Sequence, residues 1–556
     1  MKIVLASFIF CLQQCFGQEC NHKWLFQPAP MDRFNEKSNS TACECTEGNC
    51  DDFVVNWPKE KDEFLEIQST QFPVDSEEFP QRFSQSSGEL IDASPRESDT
   101  LKFTITKQKQ QKITGFGGAM TDSSVLLIDR MSQQVQNEIL ETYFDPIKGN
   151  RYTFVRTNMG GCDFSERVYT YLDTYGDFYL KTWHLSSEDT KLKIPMLKKI
   201  NAMNPRIEGD ESTGVDYFFA PWTAPDWMKT NNRPDGKGTL VDDPNYKSTW
   251  AKYFIKYLQA YQEEGISFSH FSLQNEPMAG LYTSHQWQET GWNATGENDF
   301  LINYIIPELQ ENGFDDIIVQ VLDGQRVFSG SNYANKALEG AEKFLNKGIK
   351  GFSVAVHWYS DFAVDKMKRV SGKGLQKMWS KLSRTFGDNF YIHNTEACMP
   401  VNSYPPSRSA ADDRGNWFHG MRYSEDIIID LNNHISGWTD WNVVLDLSGG
   451  PNWAGNRHDA PIIVDTDTNT YWKNPMFYHM GHFSKFLDRT YTVYKVAGDT
   501  DNSDVLIVAA NNGTYEVFVI LSKYYEKQAV EVVTSQGRVY NSVMEPRSIK
   551  TVVVKL

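Results

Sequence analysis

Between about residues 113 and 445 the apolar positions fall into short runs separated by helix-period stretches, a pattern that predicts β/α units around a parallel sheet. The clearest helix covers 249–264, where Trp250, Phe254, Leu258 and Tyr261 recur at spacings of four, four and three and make one apolar stripe. It runs into a strand at 266–274. Further strands are predicted at 317–322, 352–358, 390–395 and 438–445, with helices such as 334–346 and 424–435 between them. Upstream runs at 113–116, 153–156 and 218–222 complete a set of eight, which predicts a closed (β/α)8 barrel.

The two ends carry a different period. Runs at 505–510, 515–521, 529–533 and 549–554 are β-rich and parted by Asn, Gly or Ser turns, a β-sandwich signature. The stretch 53–112 also holds strand-like pieces, including 101–105, so the ends are expected to pair into one domain beside the barrel. Residues 204–216 read as an acidic surface loop.

Composition sharpens this picture. The chain has 556 residues, too many for one barrel, and is 40% hydrophobic, 13% aromatic and 23% charged, which excludes wholesale disorder, collagen and coiled coil. Lys plus Arg number 55 against 72 Asp plus Glu, a net charge of −17, so no global basic field exists to hold nucleic acid. Met1 and Lys2 precede an apolar run from Ile3 to Leu12, the pattern of a secretory signal with cleavage expected near Gly17. No later run reaches the ~18 apolar residues of a membrane helix.

Cys20, Cys43, Cys45 and Cys50 crowd together, and in an oxidising compartment such a cluster is expected to form two disulfides. Zinc is the alternative, disfavoured by the single His22 and by the lack of paired CxxC spacing. Asn39, Asn293 and Asn512 stand in Asn-x-Ser/Thr acceptors for glycans.

In a (β/α)8 barrel, reacting groups stand at the C-terminal ends of strands. Glu276 follows the predicted strand ending at Gln274, and Glu396 ends the one at 390–395. Two carboxylates facing across one mouth can cleave a glycosidic bond: one donates a proton to the leaving oxygen while the other attacks the anomeric carbon, with retention when they are about 5 Å apart. The Asn275 amide beside Glu276 is placed to bind a neighbouring sugar hydroxyl. Trp222, Trp227, Trp358, Tyr359, Trp438 and Trp441 fall at strand ends on the same side and offer flat faces for sugar rings. Asp163, Asn442 and Asn456 are candidates for hydroxyl recognition, and Arg156 and Arg326 for holding a carboxylate ionised. A related glycosidase with another β-glycoside substrate, and a glycolipid-binding protein without turnover, are the alternatives.

With these residues in place the chain resembles the glucosylceramidases of glycoside hydrolase family thirty. The motifs are Gly115-Phe116-Gly117-Gly118-Ala119-Met120-Thr121-Asp122, Cys162-Asp163-Phe164-Ser165, Asp189-Thr190-Lys191-Leu192-Lys193-Ile194-Pro195, His357-Trp358-Tyr359, Gly437-Trp438-Thr439-Asp440-Trp441-Asn442 and Met476-Phe477-Tyr478-His479, and they span nearly the whole chain. The resemblance implies that Glu276 is the acid/base and Glu396 the nucleophile. It also implies that Asp163 and Trp222 hold the far glucose hydroxyls, that Trp441, Asn456 and Tyr359 line the pocket, and that His357 supports it. It implies disulfides Cys20–Cys43 and Cys45–Cys50, with Cys162 and Cys398 free near the pocket. Hydrolysis of glucosylceramide without metal or cofactor in the lysosomal lumen is implied, with transient contact to a membrane surface and anionic lipid, a saposin-type activator and a lysosomal sorting receptor. The chain departs from the family in the mouth loop, with His285 and Trp287 where Tyr and Phe are common, and in the length of 204–216; these departures bear on aglycone preference and activator response. Trp287 and Trp292 are candidates for membrane contact. The expected division is a signal peptide at 1–17, a small disulfide-bearing β domain at 18–52 plus about 446–475, a β-sandwich at 53–112 plus about 490–556, and the barrel at about 113–445 plus 476–489.

Overall fold

Eight strands follow one another around a closed ring: β1 Gly115–Ala119, β2 Phe154–Met159, β3 Asp216–Pro221, β4 His270–Ser272, β5 Ile318–Gln325, β6 Gly351–His357, β7 Phe390–Glu396 and β8 Ile435–Asn442. All neighbours run parallel, and β8 returns to β1. This is the expected (β/α)8 barrel. The computed structural model describes residues 24–28, 39–71, 82–92, 99–282, 286–327, 332–359, 368–401 and 409–556. The signal segment, Cys20 and His285 lie outside the described residues.

β2, β6 and β8 are buried at every position, because helices cover the outer face while side chains fill the inside. Within the barrel, the Phe154 ring lies 4.7 Å from Phe218, 5.0 Å from His270 and 4.3 Å from His393. Burial pushes His270 down to about 3 and holds His393 low as well, so both imidazoles are neutral and act as flat filler. Backbone and rings come this close because two neighbouring positions carry no side chain. A Cβ on Gly117 would stand 1.7 Å from the Phe154 carbonyl oxygen, and one on Gly437 would stand 2.6 Å from His393 Cε1.

The striped helix spans Pro244–Glu263 and begins ahead of the apolar stripe, because Asp243 caps it and Pro244 supplies its first turn. Trp250, Phe254, Leu258 and Tyr261 are buried as one face. The strand expected at 266–274 shortens to β4, since only His270, Phe271 and Ser272 pair with β5. The helix expected at 334–346 divides into Tyr333–Ala337 and a tighter turn, Ala341–Lys347, at Gly340, whose φ of 78° ends the first segment.

The flanking domain is one nine-stranded sheet, in the order 539–544, 528–533, 101–112, 492–498, 505–511, 515–522, 548–555, 63–70 and 84–89. It rolls until its ends meet: Tyr540 bonds to Glu66, its ring sits 5.1 Å from Phe64, and Ile91 bridges to Val539. Gln111 Nε2 ties this sheet to the barrel by donating to the Leu431 and Ile435 carbonyls at 2.8 Å each. A five-stranded sheet, in the order 24–28, 39–45, 470–473, 462–465 and 444–446, covers another side. Cys45 and Cys50 are bonded beside it, and Cys43 is disulfide-bonded too, which removes zinc as the reading of this cluster.

Asn39 opens the strand Asn39–Cys45. Asn293 is exposed and caps the helix Ala294–Phe300, and Asn512 shapes a hairpin turn by accepting from Thr514 and Tyr515. Among the described residues no helix is long and apolar enough to cross a membrane.

These close approaches set up a paired test by thermal unfolding. Gly117→Ala is expected to abolish the folded state, because its Cβ overlaps the backbone of β2. Gly296→Ala sits in a helix where the nearest atom to the new Cβ is 3.5 Å away, and is expected to stabilise by about 0.5–1 kcal/mol.

Candidate active site

At their C-terminal ends three barrel strands take one extra residue. The β5/β6 register slips between Val321 and Gly324, the β6/β7 register at Thr395 just before Glu396, and the β8/β1 register at Trp441. Such bulges re-aim side chains beside a site. Here they turn Asp323, Glu396 and Trp441 toward one mouth. Glu276, just past β4, has a φ of 46°, and Leu322 and Asp323 have φ of 74° and 37°. Two adjacent strand ends thus hold, at three residues, left-handed backbone that non-glycine residues adopt only when their surroundings impose it. Glu276 N–H donates to the Asp323 carbonyl at 2.8 Å, which locks two of these strained points together.

The side chains converge on a fully buried guanidinium. Arg156 of β2 donates to Glu396, to Asn275 Oδ1 at 2.8 Å and to Asp323 Oδ2 at 2.9 Å. Asp323 Oδ1 also meets His357 Nε2 at 3.0 Å and the Thr395 hydroxyl at 2.6 Å. The other imidazole nitrogen, Nδ1, lies 3.2 Å from Glu276 Oε1 and 4.0 Å from Glu396 Oε1. Gln325 Nε2 donates to Glu276 Oε1 at 2.7 Å, and the Tyr359 hydroxyl to Glu396 Oε1 at 2.9 Å.

Electrostatics follow from these contacts. Burial works against the Arg156 charge, but Asp323 and Glu396 outweigh it and raise its pKa. Burial likewise opposes a charged His357, yet Glu396, Asp323 and Glu276 push it up to about 9, so it is a cation at neutral pH. Asp323 is held well below the carboxylate range, where Arg156 and His357 overcome the effect of burial. Burial raises Glu396, while His357 and Arg156 pull against it. Burial, reinforced by Glu396, pushes Asp163 up to about 7, with the Asn456 amide opposing.

A cavity of about 380 Å3 opens onto these groups, within the range of small-molecule sites. Its polar lining includes Asp163, Asn275, Glu276, Glu396 and Asn456, with Asn456 donating to Asp163 at 3.1 Å. Trp222 and Trp441 stack at 5.0 Å between ring centres and line it, as does Tyr359. Pro277, Met278, Ala279, Tyr282, Trp287 and Leu322 supply its apolar lining, with Tyr282 68% exposed.

Other expected residues lie elsewhere. Trp227, Trp358 and Trp438 are buried, with indole N–H groups donating to the Leu172 carbonyl, the Cys398 carbonyl and Asp426; they pack the frame and do not line the cavity. Asn442 is buried against the Thr121 hydroxyl. Arg326 pairs with Asp426 and Asp430, so the carboxylates it holds belong to the helix Trp417–Asn432 behind β7. Trp292, a candidate for membrane contact, is 6% exposed and packs on Phe300. Cys162 and Cys398 are free and buried, with Cys398 Sγ 3.2 Å from the Tyr359 hydroxyl. Asp323 and Gln325 were absent from the expected set. An acid at the end of the run 317–322 is the signal that marks Asp323, in the same way that strand-end position marks Glu276.

Residues 113–487 match the glycosyl hydrolase family 30 TIM-barrel domain. Lysosomal acid glucosylceramidase of Mus musculus is 38% identical over 424 residues, 76% of this chain and 77% of that one. Putative glucosylceramidase 3 of Caenorhabditis elegans is 36% identical over 468 residues, 83% of this chain and 84% of that one. The crystal structure of SrfJ from Salmonella typhimurium shares the fold, with a TM-score of 0.74 at 24% identity, over 89% of this chain and 100% of that one.

The raised His357 gives a pH test with a defined sign. A cation favoured by folding stabilises fully below its unfolded pKa of about 6.5, and that contribution is lost as pH rises through about 9. The difference in urea-unfolding free energy between wild type and His357→Gln is therefore expected to shrink by up to about 3 kcal/mol from pH 6 to pH 10. A difference independent of pH would show that His357 is neutral in the folded protein.

Proposed function

The chain belongs to glycosyl hydrolase family 30, and from that premise we propose that it is a retaining β-glucosidase that hydrolyses glucosylceramide to glucose and ceramide. The observation that carries this reading is the shared imidazole. Because His357 Nδ1 reaches both carboxylates, at 3.2 and 4.0 Å, the two oxygens can be no farther apart than those distances laid end to end. That limit accommodates the roughly 5 Å of a retaining pair.

In the proposed cycle Glu276 protonates the glycosidic oxygen while Glu396 attacks the anomeric carbon. The carbon–oxygen bond breaks, ceramide leaves, and a glucosyl ester forms on Glu396. Glu276, now a carboxylate, takes a proton from water as its oxygen attacks the same carbon; glucose departs with retained configuration and both glutamates are restored. Arg156 favours this division of roles, since a guanidinium bonded to Glu396 pulls against burial and favours the ionised nucleophile. Asp163 and Trp222 hold the far glucose hydroxyls, Asn275 the hydroxyl beside the reacting carbon, and Trp441, Asn456 and Tyr359 complete the glycone pocket.

The apolar lining of the cavity supports a lipid aglycone. Its similarity to a lysosomal enzyme supports work in an acidic lumen, where Asp163, whose pKa is pushed up to about 7, is protonated and able to donate to a sugar oxygen. Contact with the bilayer is peripheral on this reading, with Trp287 at the mouth, a saposin-type activator and a lysosomal sorting receptor as assisting partners. Protonation of carboxylates offsets part of the −17 net charge and eases approach to anionic lipid.

Two variants test the roles. On an activated aryl β-glucoside, Glu396→Gln is expected to lose at least about a thousandfold in kcat, with no recovery in azide. Glu276→Gln should recover turnover in azide and release β-glucosyl azide. An α-azide, or rescue confined to the Glu396 variant, would reverse the assignment. Wild-type kcat/KM on glucosylceramide is expected to exceed that on galactosylceramide; the opposite order would remove glucose as the glycone.

A further inference from the structure

Glu297 is a carboxylate that the proposed cycle does not use. It is 1% exposed on the helix Ala294–Phe300, behind the β5 bulge. Its Oε1 accepts the Leu322 backbone N–H at 3.3 Å, and the Tyr333 hydroxyl lies beside it. That hydroxyl has one proton, which points to the Trp292 carbonyl at 3.2 Å. Glu297 Oε2 is buried with no hydrogen-bond partner, and a carboxyl left so favours its neutral form. Burial pushes Glu297 up to about 8, in agreement with a proton held there at acidic and neutral pH.

What Glu297 grips is the point on which both reacting groups depend. Leu322 and Asp323 have left-handed φ of 74° and 37°, with no glycine to make that conformation easy. The Asp323 carbonyl takes the Glu276 N–H, and the Asp323 carboxylate takes Arg156 and His357. If the bulge relaxed toward ordinary extended backbone, the carbonyl and carboxylate of Asp323 would swing away together.

We propose that Glu297 is a positioning residue that clamps the Leu322–Asp323 bulge and so sets the places of Glu276 and Glu396. The proposal rests on the reading of those two as the reacting pair. Glu297 touches neither substrate nor reacting atoms; it acts through the backbone of β5.

Two substitutions separate the clamp from bulk. Glu297→Gln keeps an acceptor for the Leu322 N–H, whereas Glu297→Leu keeps the volume and removes it. On an aryl β-glucoside at acidic pH, E297L is expected to lose about tenfold or more in kcat with KM within about twofold, and E297Q to stay within about twofold of wild type in both. A second readout needs no turnover. NMR of histidine-labelled protein is expected to show the His357 imidazole titrating at lower pH in E297L than in wild type or E297Q, because Asp323 no longer holds it. Wild-type kcat together with an unchanged His357 titration in E297L would overturn the clamp. If wild type shows no glucosidase activity, the proposed function fails while the titration still decides the clamp. Should E297L not fold, Tyr333→Phe, which removes the hydroxyl beside Glu297, is expected to lower the His357 titration in the same direction, and no change there would overturn the proposal.

Discussion

A guanidinium with no access to water stands at the centre of this molecule, and the rest of the mouth is arranged to make that arrangement tolerable. Burying an unpaired cation costs several kcal/mol, so Arg156 needs partners on every side. It takes Glu396, Asp323 and Asn275 and lies under the faces of Trp222 and Trp441 at 5.1 and 5.3 Å. The same logic runs in reverse for the acids. Glu276, Glu396 and Asp323 crowd together at the base of the mouth, with Asp323 fully buried and Glu276 18% exposed at its side chain, and like charges so close favour protonation. Arg156 and His357 supply the compensating charge. Removing either cation leaves carboxylates whose cheapest escape is protonation, so the ionisation needed for chemistry and the integrity of the mouth are one property.

That charge cluster is positioned by irregular backbone. A regular parallel barrel would send successive side chains alternately inward and outward, with Asp323, Glu396 and Trp441 at fixed, widely spaced azimuths. One extra residue in each of three strands breaks the alternation where it matters. The left-handed conformations at Glu276, Leu322 and Asp323 carry a cost of about 1–3 kcal/mol each, and the surrounding bonds sustain it. The Asp323 carbonyl on the Glu276 N–H joins β4 to β5, and the Arg156–Glu396 pair joins β2 to β7, so the strain is held by contacts between strands far apart in the chain.

The sequence showed the regular part of this and not the irregular part. The stripe Trp250, Phe254, Leu258, Tyr261 announces a helix because packing against the barrel requires one wet and one dry face. Strand-end position marks Glu276 and Glu396 without any knowledge of distance. The aromatic positions were harder to sort, because Trp222 and Trp441 lining a cavity and Trp358 and Trp438 packed behind it have the same local signature: an aromatic at the tip of an apolar run. Only the indole partner separates them, and the Cys398 carbonyl or Asp426 as partner is a matter of tertiary position. Arg326 misleads in the same way, since its partners Asp426 and Asp430 come from a helix a hundred residues further along. Bulges leave no pattern of apolar spacing at all, so strand-end position marks Asp323 as an acid near the mouth but not its contacts with Arg156, His357 and Thr395. The rolling of the nine-stranded sheet was likewise hidden, because alternation within a strand says which face is buried and nothing about which other strand buries it.

The polar and apolar linings of the cavity discriminate by different physics, and on the proposed reading this divides the substrate. Asp163 and Asn275, buried polar groups of the lining, are desolvated and gain further hydrogen bonds only from correctly placed hydroxyls. A sugar that lacks or misplaces one leaves a buried acceptor unmet, a penalty that can reach factors of about 10⁴. The apolar lining, from Pro277 to Trp287 and Leu322, gains from any chain that displaces water and loses only about 1–3 kcal/mol for a methylene too few. Strict choice of sugar and loose choice of lipid therefore follow from one cavity without any separate specificity device. Trp287, which departs from the family pattern, lines the permissive part, where a change of shape shifts preference by degree. The residues that would forbid a change of sugar are those tied into the Arg156 cluster, where substitution disturbs the charges that hold the mouth together.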